Sequence, residues 1–394
     1  MNEAFITPSN LTWARTRAGY SALELAEKAG VPAHKLAAWE KGEARPSLKQ
    51  SEDLATKLHI PLGYLYLSAP PAESPAIPDF RAGYAGAGRS MSLELREVID
   101  SAKRRQEAYR EIVEEDGAES LGFVRSFDLS ADPAALAADM RLVLGVGEDF
   151  ARKSKTWTDQ VGRLARAAGD AGILVFRSSI VGSNSHRHLD TDEFRGFALC
   201  DELAPLVFVN AADYKTAQVF TLAHELAHLW IGESGISNQA VDAFSRGIDA
   251  KGEALCDKVA AEFLVSADSF RSEWQGDAPP GFELQRLAAR YRVSAIVILR
   301  RALELGAVDK GAFIGLLEEA RGYHSEHDEK DEKDEKSGGD FYSTFGARNG
   351  ERFPAVVLGA LRGGRILYRE AARLLDVRPS TVRELELRAA AKVG

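Results

Sequence analysis

Residues 219–230 read Val-Phe-Thr-Leu-Ala-His-Glu-Leu-Ala-His-Leu-Trp, and no other stretch limits the possible folds so severely. The segment is apolar enough to be buried, yet His224, Glu225 and His228 are ionisable. On a helix, residues four apart lie one turn apart on one face, so His224 and His228 can grip one ion together. Two buried imidazoles demand polar partners, and a metal supplies one. A random chain of this composition would contain His-Glu-x-x-His about 0.015 times. The competing reading is a pair of hydrogen-bonded core histidines.

Two imidazoles and a carboxylate suit zinc (Zn2+), with a fourth position left for water. A third histidine at metzincin spacing is absent, because Ile231 stands where that extension needs glycine and the next histidine is His324. The third ligand is therefore expected to be a carboxylate, with Glu233, Asp242, Asp249, Glu253, Asp257 and Glu262 in competition. Pattern favours Glu253. A stripe through Cys256, Ala260 and Leu264 continues one turn back to Glu253, and a carboxylate on a buried face is costly unless paired or metal-bound. Asp257, one turn beyond Glu253, is placed to hold the far nitrogen of one histidine. Glu225 is expected to act as the general base, taking a proton from an attacking water and returning it to the leaving amine. Tyr214, His186 and Arg195 compete to stabilise the oxyanion, and the sequence does not choose among them. Cys256 reads as a buried structural cysteine.

The 394 residues suffice for two or three domains, and 45% hydrophobic with 28% charged residues excludes wholesale disorder. Cys200 and Cys256 cannot build a disulfide framework. The opening residues lack a basic stretch followed by an apolar one, and no long apolar run follows, so a cytoplasmic protein without membrane contact is expected. Net charge is −9 but uneven: residues 1–70 carry +1, residues 341–394 carry +5, and the middle carries −15. Nucleic-acid contact is thus expected only at the ends.

The pattern predicts a mostly helical α+β chain. Residues 1–70 read as a five-helix domain. Residues 71–115 combine a proline-bearing linker (Pro71, Pro75, Pro78) with a charged helix from Ser92 to Glu115. Residues 116–322 form the central domain, with helices near 133–144 and 156–168 and three short strands near 172–176, 194–199 and 205–209. From Thr216 to Glu319 the pattern is helical. Residues 323–340, with Asp-Glu-Lys three times over, read as a disordered acidic tether, and residues 341–394 as a basic helical domain.

The run Phe220 to His228, with Glu253-x-x-Cys-Asp-x-x-Ala-Ala-Glu-Phe-Leu264, resembles the ImmA/IrrE family of zinc metallopeptidases. Phe194-Arg-Gly-Phe197, Val207-Phe-Val-Asn210 and Pro78-Asp-Phe-Arg81 are similar to the same family, and Glu253-x-x-x-Asp257 resembles the second zinc helix of gluzincins. Departures are Asp257, where the family often has Asn, and Ser266, where it commonly has Pro. The resemblance implies a zincin-like peptidase domain behind an XRE-type helix-turn-helix. It also implies limited proteolysis of a repressor or other regulatory partner in a stress, mobile-element or phage-defence switch. The rival expectation is a non-proteolytic DNA-binding regulator whose peptidase-like domain serves as sensor or scaffold.

Within residues 21–42, Gly30 suits a left-handed turn, while Val31, Leu36 and Trp39 suit a small core. His34, Lys35, Lys41 and Arg45 are the candidate DNA contacts. The recognition face is otherwise alanine-rich, so a role in dimerisation or partner docking competes, and a homodimer is a further expectation. Ala372, Asp376 and Val377 repeat the spacing of Ala26, Gly30 and Val31 in a tail bearing Arg373, Arg378, Arg383 and Arg388. Ala288, Arg292 and Val293 repeat it as well, so the spacing alone does not signal DNA.

Overall fold

The computed structural model describes residues 3–71, 91–237, 250–335 and 341–391, with side chains described except at 324–335 and 389–391. Pro75, the Pro78–Arg81 segment, Asp242 and Asp249 lie outside the described residues. The chain divides into two compact units, with the boundary between Asp100 and Ser101.

The first unit opens with α1 (Pro8–Arg17), α2 (Ala22–Lys28), α3 (Ala33–Lys41) and α4 (Leu48–Lys57). Local chemistry sets these boundaries. Ser21 and Glu24 cap α2 reciprocally, and Ser47 and Gln50 do the same for α4. Gly30 takes φ +65° between α2 and α3, letting the Val31 N–H reach the Ala26 carbonyl at 2.9 Å. Leu11, Ala14, Leu25, Ala26, Leu36 and Trp39 fill the core. The fifth helix is a short 3₁₀ helix, Leu62–Tyr66. Pro61 starts it, and five residues are too few to repay α-helix nucleation.

The helix α5 (Leu93–Glu115) crosses the boundary between the units. The second unit continues with α6 (Pro133–Leu144), α7 (Trp157–Asp170), β1 (Leu174–Ser178), β2 (Gly196–Leu199), β3 (Leu206–Asn210), α8 (Lys215–Ile231), β4 (Gly235–Ser237) and α9 (Ala250–Leu264). Next come α10 (Ala267–Glu273), α11 (Pro280–Tyr291), α12 (Ala295–Glu304), α13 (Lys310–Glu335), α14 (Phe341–Asn349), α15 (Arg352–Arg362), α16 (Tyr368–Leu375) and α17 (Pro379–Ala391). Among the described residues no helix is long and apolar enough to cross a membrane.

The strands lie in the order β1-β3-β2-β4, with β1 and β3 parallel and the other pairs antiparallel. Register puts Val175, Val207 and Ala198 in one row and Phe176, Phe208, Phe197 and Ile236 in the next. Adjacent rows face opposite sides of a sheet. The valine side shares a core with α8. On the aromatic side, Phe176 meets Phe353 of α15 edge-on at 5.4 Å, and Tyr109 of α5 lies 6.5 Å from Phe353. Gln106 of α5 donates to the carbonyls of Leu199 and Ala204. The charged helix and the tail, read from sequence as separate segments, thus pack together on the second face. A sheet whose strands are apolar on both sides requires such a second layer.

Two further expectations change. The stretch from Thr216 to Glu319 is not helical throughout: β4 interrupts it, and three residues are too short to show strand alternation. The expected tether is helical as far as Glu335. Glu and Lys are strong helix formers.

Candidate metal centre

Every residue of α8 from Thr216 to Trp230 is buried. The sheet lies against one side, while α6, α7 and α9 also pack on the helix. Gly232, at φ +76°, stops it in the left-handed conformation. Trp230 is fixed at the far end by stacking on Phe123 at 4.4 Å and by donating to the Asp139 carboxylate at 2.8 Å. A helix so enclosed holds its polar side chains in narrow positions.

His224 Nε2 and His228 Nε2 stand 3.1 Å apart. Glu253, buried on the first turn of α9, brings Oε2 within 3.3 Å of His224 Nε2 and Oε1 within 3.1 Å of His228 Nε2. Among the described residues, neither buried Glu253 oxygen has an aligned hydrogen-bond donor, despite those short separations. Two imidazole nitrogens and two carboxylate oxygens thus crowd one buried point. That arrangement suits a cation, and His224, His228 and Glu253 could hold one. Asp257 Oδ1 is 3.1 Å from His224 Nδ1, and its other oxygen is 3.8 Å from the Arg300 guanidinium.

The electrostatics express the same crowding. Burial lowers the pKa of His224, but Glu253 and Asp257 outweigh it and hold the imidazole well above its ordinary value. Burial raises that of Glu253, and the two imidazoles more than reverse this. At Glu225 burial wins instead. Burial pushes it up to about 7, with His224, His228 and the Ser237 hydroxyl pulling the other way.

The wall behind Glu225 is the part that sequence reasoning missed. Gly196 and Ser237 pair across β2 and β4, on the sheet face toward α8. A Cβ placed on Gly196 would stand 2.8 Å from Glu225 Oε1, 2.8 Å from Thr221 Cγ2 and 2.9 Å from Glu225 Cγ. The absent side chain at 196 therefore makes the space that the Glu225 carboxylate occupies. Phe194-Arg-Gly-Phe197 carried the signal, but only as a resemblance.

Other candidates fall elsewhere. Glu262 is ion-paired with Arg301 and accepts the Ala267 N–H at the end of α9. Glu233 lies against Gly252, outside the cluster. Arg195 is ion-paired with Asp213, and His186 sits in an exposed turn bonded to Asn184. Tyr214 caps the start of α8, about 15 Å of helix rise before His224. Cys256 is fully buried and its thiol pushed well up by that burial, as a structural cysteine should be. In the first unit His34, Lys35, Lys41 and Arg45 are all exposed. The Lys35 ammonium rests 5.5 Å over the Trp39 ring, and the Arg45 guanidinium 3.8 Å over Phe5.

Residues 168–303 match a peptidase-family model described as the IrrE N-terminal-like domain, and residues 11–65 match a helix-turn-helix model. Residues 349–386 match a domain of unknown function. No curated protein matches the chain. The IrrE-like segment contains the whole His224, Glu225, His228 and Glu253 cluster, and the helix-turn-helix segment covers α1 to α4. The chain therefore carries an IrrE-like peptidase domain behind an amino-terminal XRE-type helix-turn-helix, the domain pairing of an ImmA/IrrE-family protein.

Proposed function

We propose that this protein is a zinc-dependent endopeptidase that regulates gene expression by cutting a repressor or another regulatory protein. The observation that supports it most is the convergence of His224, His228 and Glu253 around one point, with Glu225 alongside on the same buried helix. His224, His228 and Glu253 would hold the ion, and a zinc ion supplies Lewis acidity for an attacking water and the scissile carbonyl. Asp257, 3.1 Å from His224 Nδ1, would fix the tautomer of His224 and so leave the Nε2 lone pair for the ion. Glu225 is the proton carrier. Its carboxylate takes a proton as water adds to the carbonyl carbon, then delivers it to the amine nitrogen as the carbon–nitrogen bond breaks. An acid held near neutrality by burial suits both halves of that task.

A fully buried carboxylate held near neutrality beside the two histidines favours hydrolysis over a scaffold without it. The amino-terminal helix-turn-helix would bring the peptidase to DNA or to a DNA-bound partner. The test pairs the zinc-loaded chain with the protein encoded by its neighbouring gene and looks for discrete fragments. Glu225→Gln should keep one zinc per chain and yield no fragments. Fragments at the unaltered rate from that variant would refute the role given to Glu225.

A further inference from the structure

We infer that α15, α16 and α17 form a second helix-turn-helix whose arginine-bearing face binds double-stranded DNA. The inference starts from an internal repeat that the structure brings out. With one constant offset of 346 residues, the buried positions of the first unit recur in the tail. Leu11 and Ala14 of α1 correspond to Val357 and Ala360 of α15, and all four are buried. Leu25 and Ala26 correspond to Ala371 and Ala372, and Leu36 and Trp39 to Val382 and Leu385, again all buried.

The backbone repeats along with the core. Asp376 takes φ +52° where Gly30 takes +65°. The Val377 N–H reaches the Ala372 carbonyl at 3.0 Å, as the Val31 N–H reaches that of Ala26 at 2.9 Å. Even the helix start is shared: Glu370 accepts the Leu367 N–H as Glu24 accepts that of Ser21. This is the same three-helix scaffold, found twice.

The outward chemistry differs. Where the first copy carries Leu23, Glu27, Pro32 and Ala37, the second carries Arg369, Arg373, Arg378 and Arg383. All four arginines are exposed, and among the described residues no side-chain hydrogen bond or ion pair engages their guanidinium groups. The acidic neighbours are mostly engaged. Glu370 caps α16, Asp376 accepts from Ser183 and faces Arg348, and Glu386 accepts from Tyr368; Glu384 is exposed. Exposed arginines on α16 (Arg369, Arg373), just before α17 (Arg378) and within it (Arg383), with Ser380 in its first turn, suit phosphate contact and the edges of bases in the major groove.

A third helix pair in this chain serves as a control. Arg292, between α11 and α12, takes φ +50°, and the Val293 N–H reaches the Ala288 carbonyl at 3.2 Å. There the second helix is buried from Ala295 to Leu299, so it cannot face a ligand. Turn geometry alone therefore does not select the tail. Its exposed arginines do.

The test uses the full chain and a fluorescein-labelled, random-sequence DNA duplex of about 20 base pairs, followed by anisotropy at low salt and then through a salt titration. The wild type should bind. The triple variant Arg373→Gln, Arg378→Gln, Arg383→Gln should bind about tenfold or more weakly, with a salt slope shallower by about 3. The double variant His34→Gln, Lys35→Gln, in the first copy, should weaken binding less than the triple variant does. Should the triple variant melt early, the three single variants carry the comparison, each with a slope shallower by about 1. Equal binding by the arginine variants would overturn the proposal, as would failure of the wild type to bind duplex at low salt or tighter binding of single-stranded RNA. The proposal does not rest on the peptidase reading: Glu225→Gln should bind duplex as the wild type does.

Discussion

Replacing Gly196 by alanine adds one methyl group to β2, and the structure says what that group would meet. Its carbon would lie 2.8 Å from Glu225 Oε1, 2.8 Å from Thr221 Cγ2 and 2.9 Å from Glu225 Cγ. Thr221 is β-branched on a buried helix and has little rotamer freedom. The strand is held on both sides, by Val209 of β3 and Ser237 of β4. Neither wall can yield cheaply, so the Glu225 side chain must move or α8 must lift. Overpacking of this kind costs about 1–3 kcal/mol. Alanine returns about 0.4–1 kcal/mol at most by restricting the unfolded chain, and only where the native backbone suits it without strain. A net loss of about 1–2 kcal/mol is expected, which lowers Tm by about 2–4 °C per kcal/mol in a domain of this size.

Three measurements separate displacement of Glu225 from general damage. Zinc content should stay near that of the wild type, because the three proposed ligands stand on α8 and α9 and none is among the atoms nearest the added methyl group. Cleavage of the protein substrate should fall about 100-fold, the order expected when a reacting group is misplaced by about 1 Å. The decisive comparison is Gly196→Ala placed on Glu225→Ala. Truncating Glu225 removes two of the three close contacts, so the methyl group should cost about 1 kcal/mol less in that background, read by calorimetry as a coupling energy. Equal stability of Gly196→Ala and wild type, with strict additivity in the pair, would refute the claim that Gly196 fixes the position of Glu225.

Zinc at 100 times its Kd should stabilise the folded chain by about 2.7 kcal/mol, and chelation should remove that shift; in His228→Ala the shift should be absent throughout. In the metal-free protein Glu225 is pushed up to about 7 by burial, above its unfolded value of 4.5. The stability it contributes is complete below about pH 4.5 and lost as pH rises through 7, about 3 kcal/mol in all, so subtracting the urea-unfolding profile of Glu225→Gln should isolate that decline. Phe353→Ala, at a fully buried aromatic touching β1 and α5, should cost about 3–5 kcal/mol and lower the melting of the peptidase core along with the tail. Separate transitions, with the peptidase core unmoved, would contradict the shared aromatic layer.

The cluster of His224, His228, Glu253 and Asp257 was legible in sequence because helical periodicity converts spacing into direction. Four residues make roughly one turn, and the apolar stripe on α9 told which way Glu253 pointed. Once a helix is assigned, such inferences need no knowledge of the rest of the fold. Residue-level reasoning of the same local kind found the turn at Gly30. It failed for β4, whose three residues acquire meaning only by pairing with β2. It also failed for Gly196, since a missing side chain carries no local pattern and its purpose lies 29 residues further along the chain, at Glu225.

The division of the second unit was obscured for a related reason, although a clue was present. All five residues of β3 and all four of β2 are buried, and a strand buried on both faces must sit between two layers. Helices from 133 to 322 supply one layer, built around α8. The other had to come from outside that span, and the two amphipathic helical segments available were those before residue 116 and after residue 340. Counting faces against helices would therefore have assigned α5 and the tail to the peptidase sheet before any contact was known. The packing of Tyr109 and Phe353 at Phe176 is that missing layer, and it anchors the arginine-bearing helix pair to the unit that carries the metal cluster. Whatever α16 and α17 bind is then held by the same body as Glu225, so occupancy of one site bears on where the other can act.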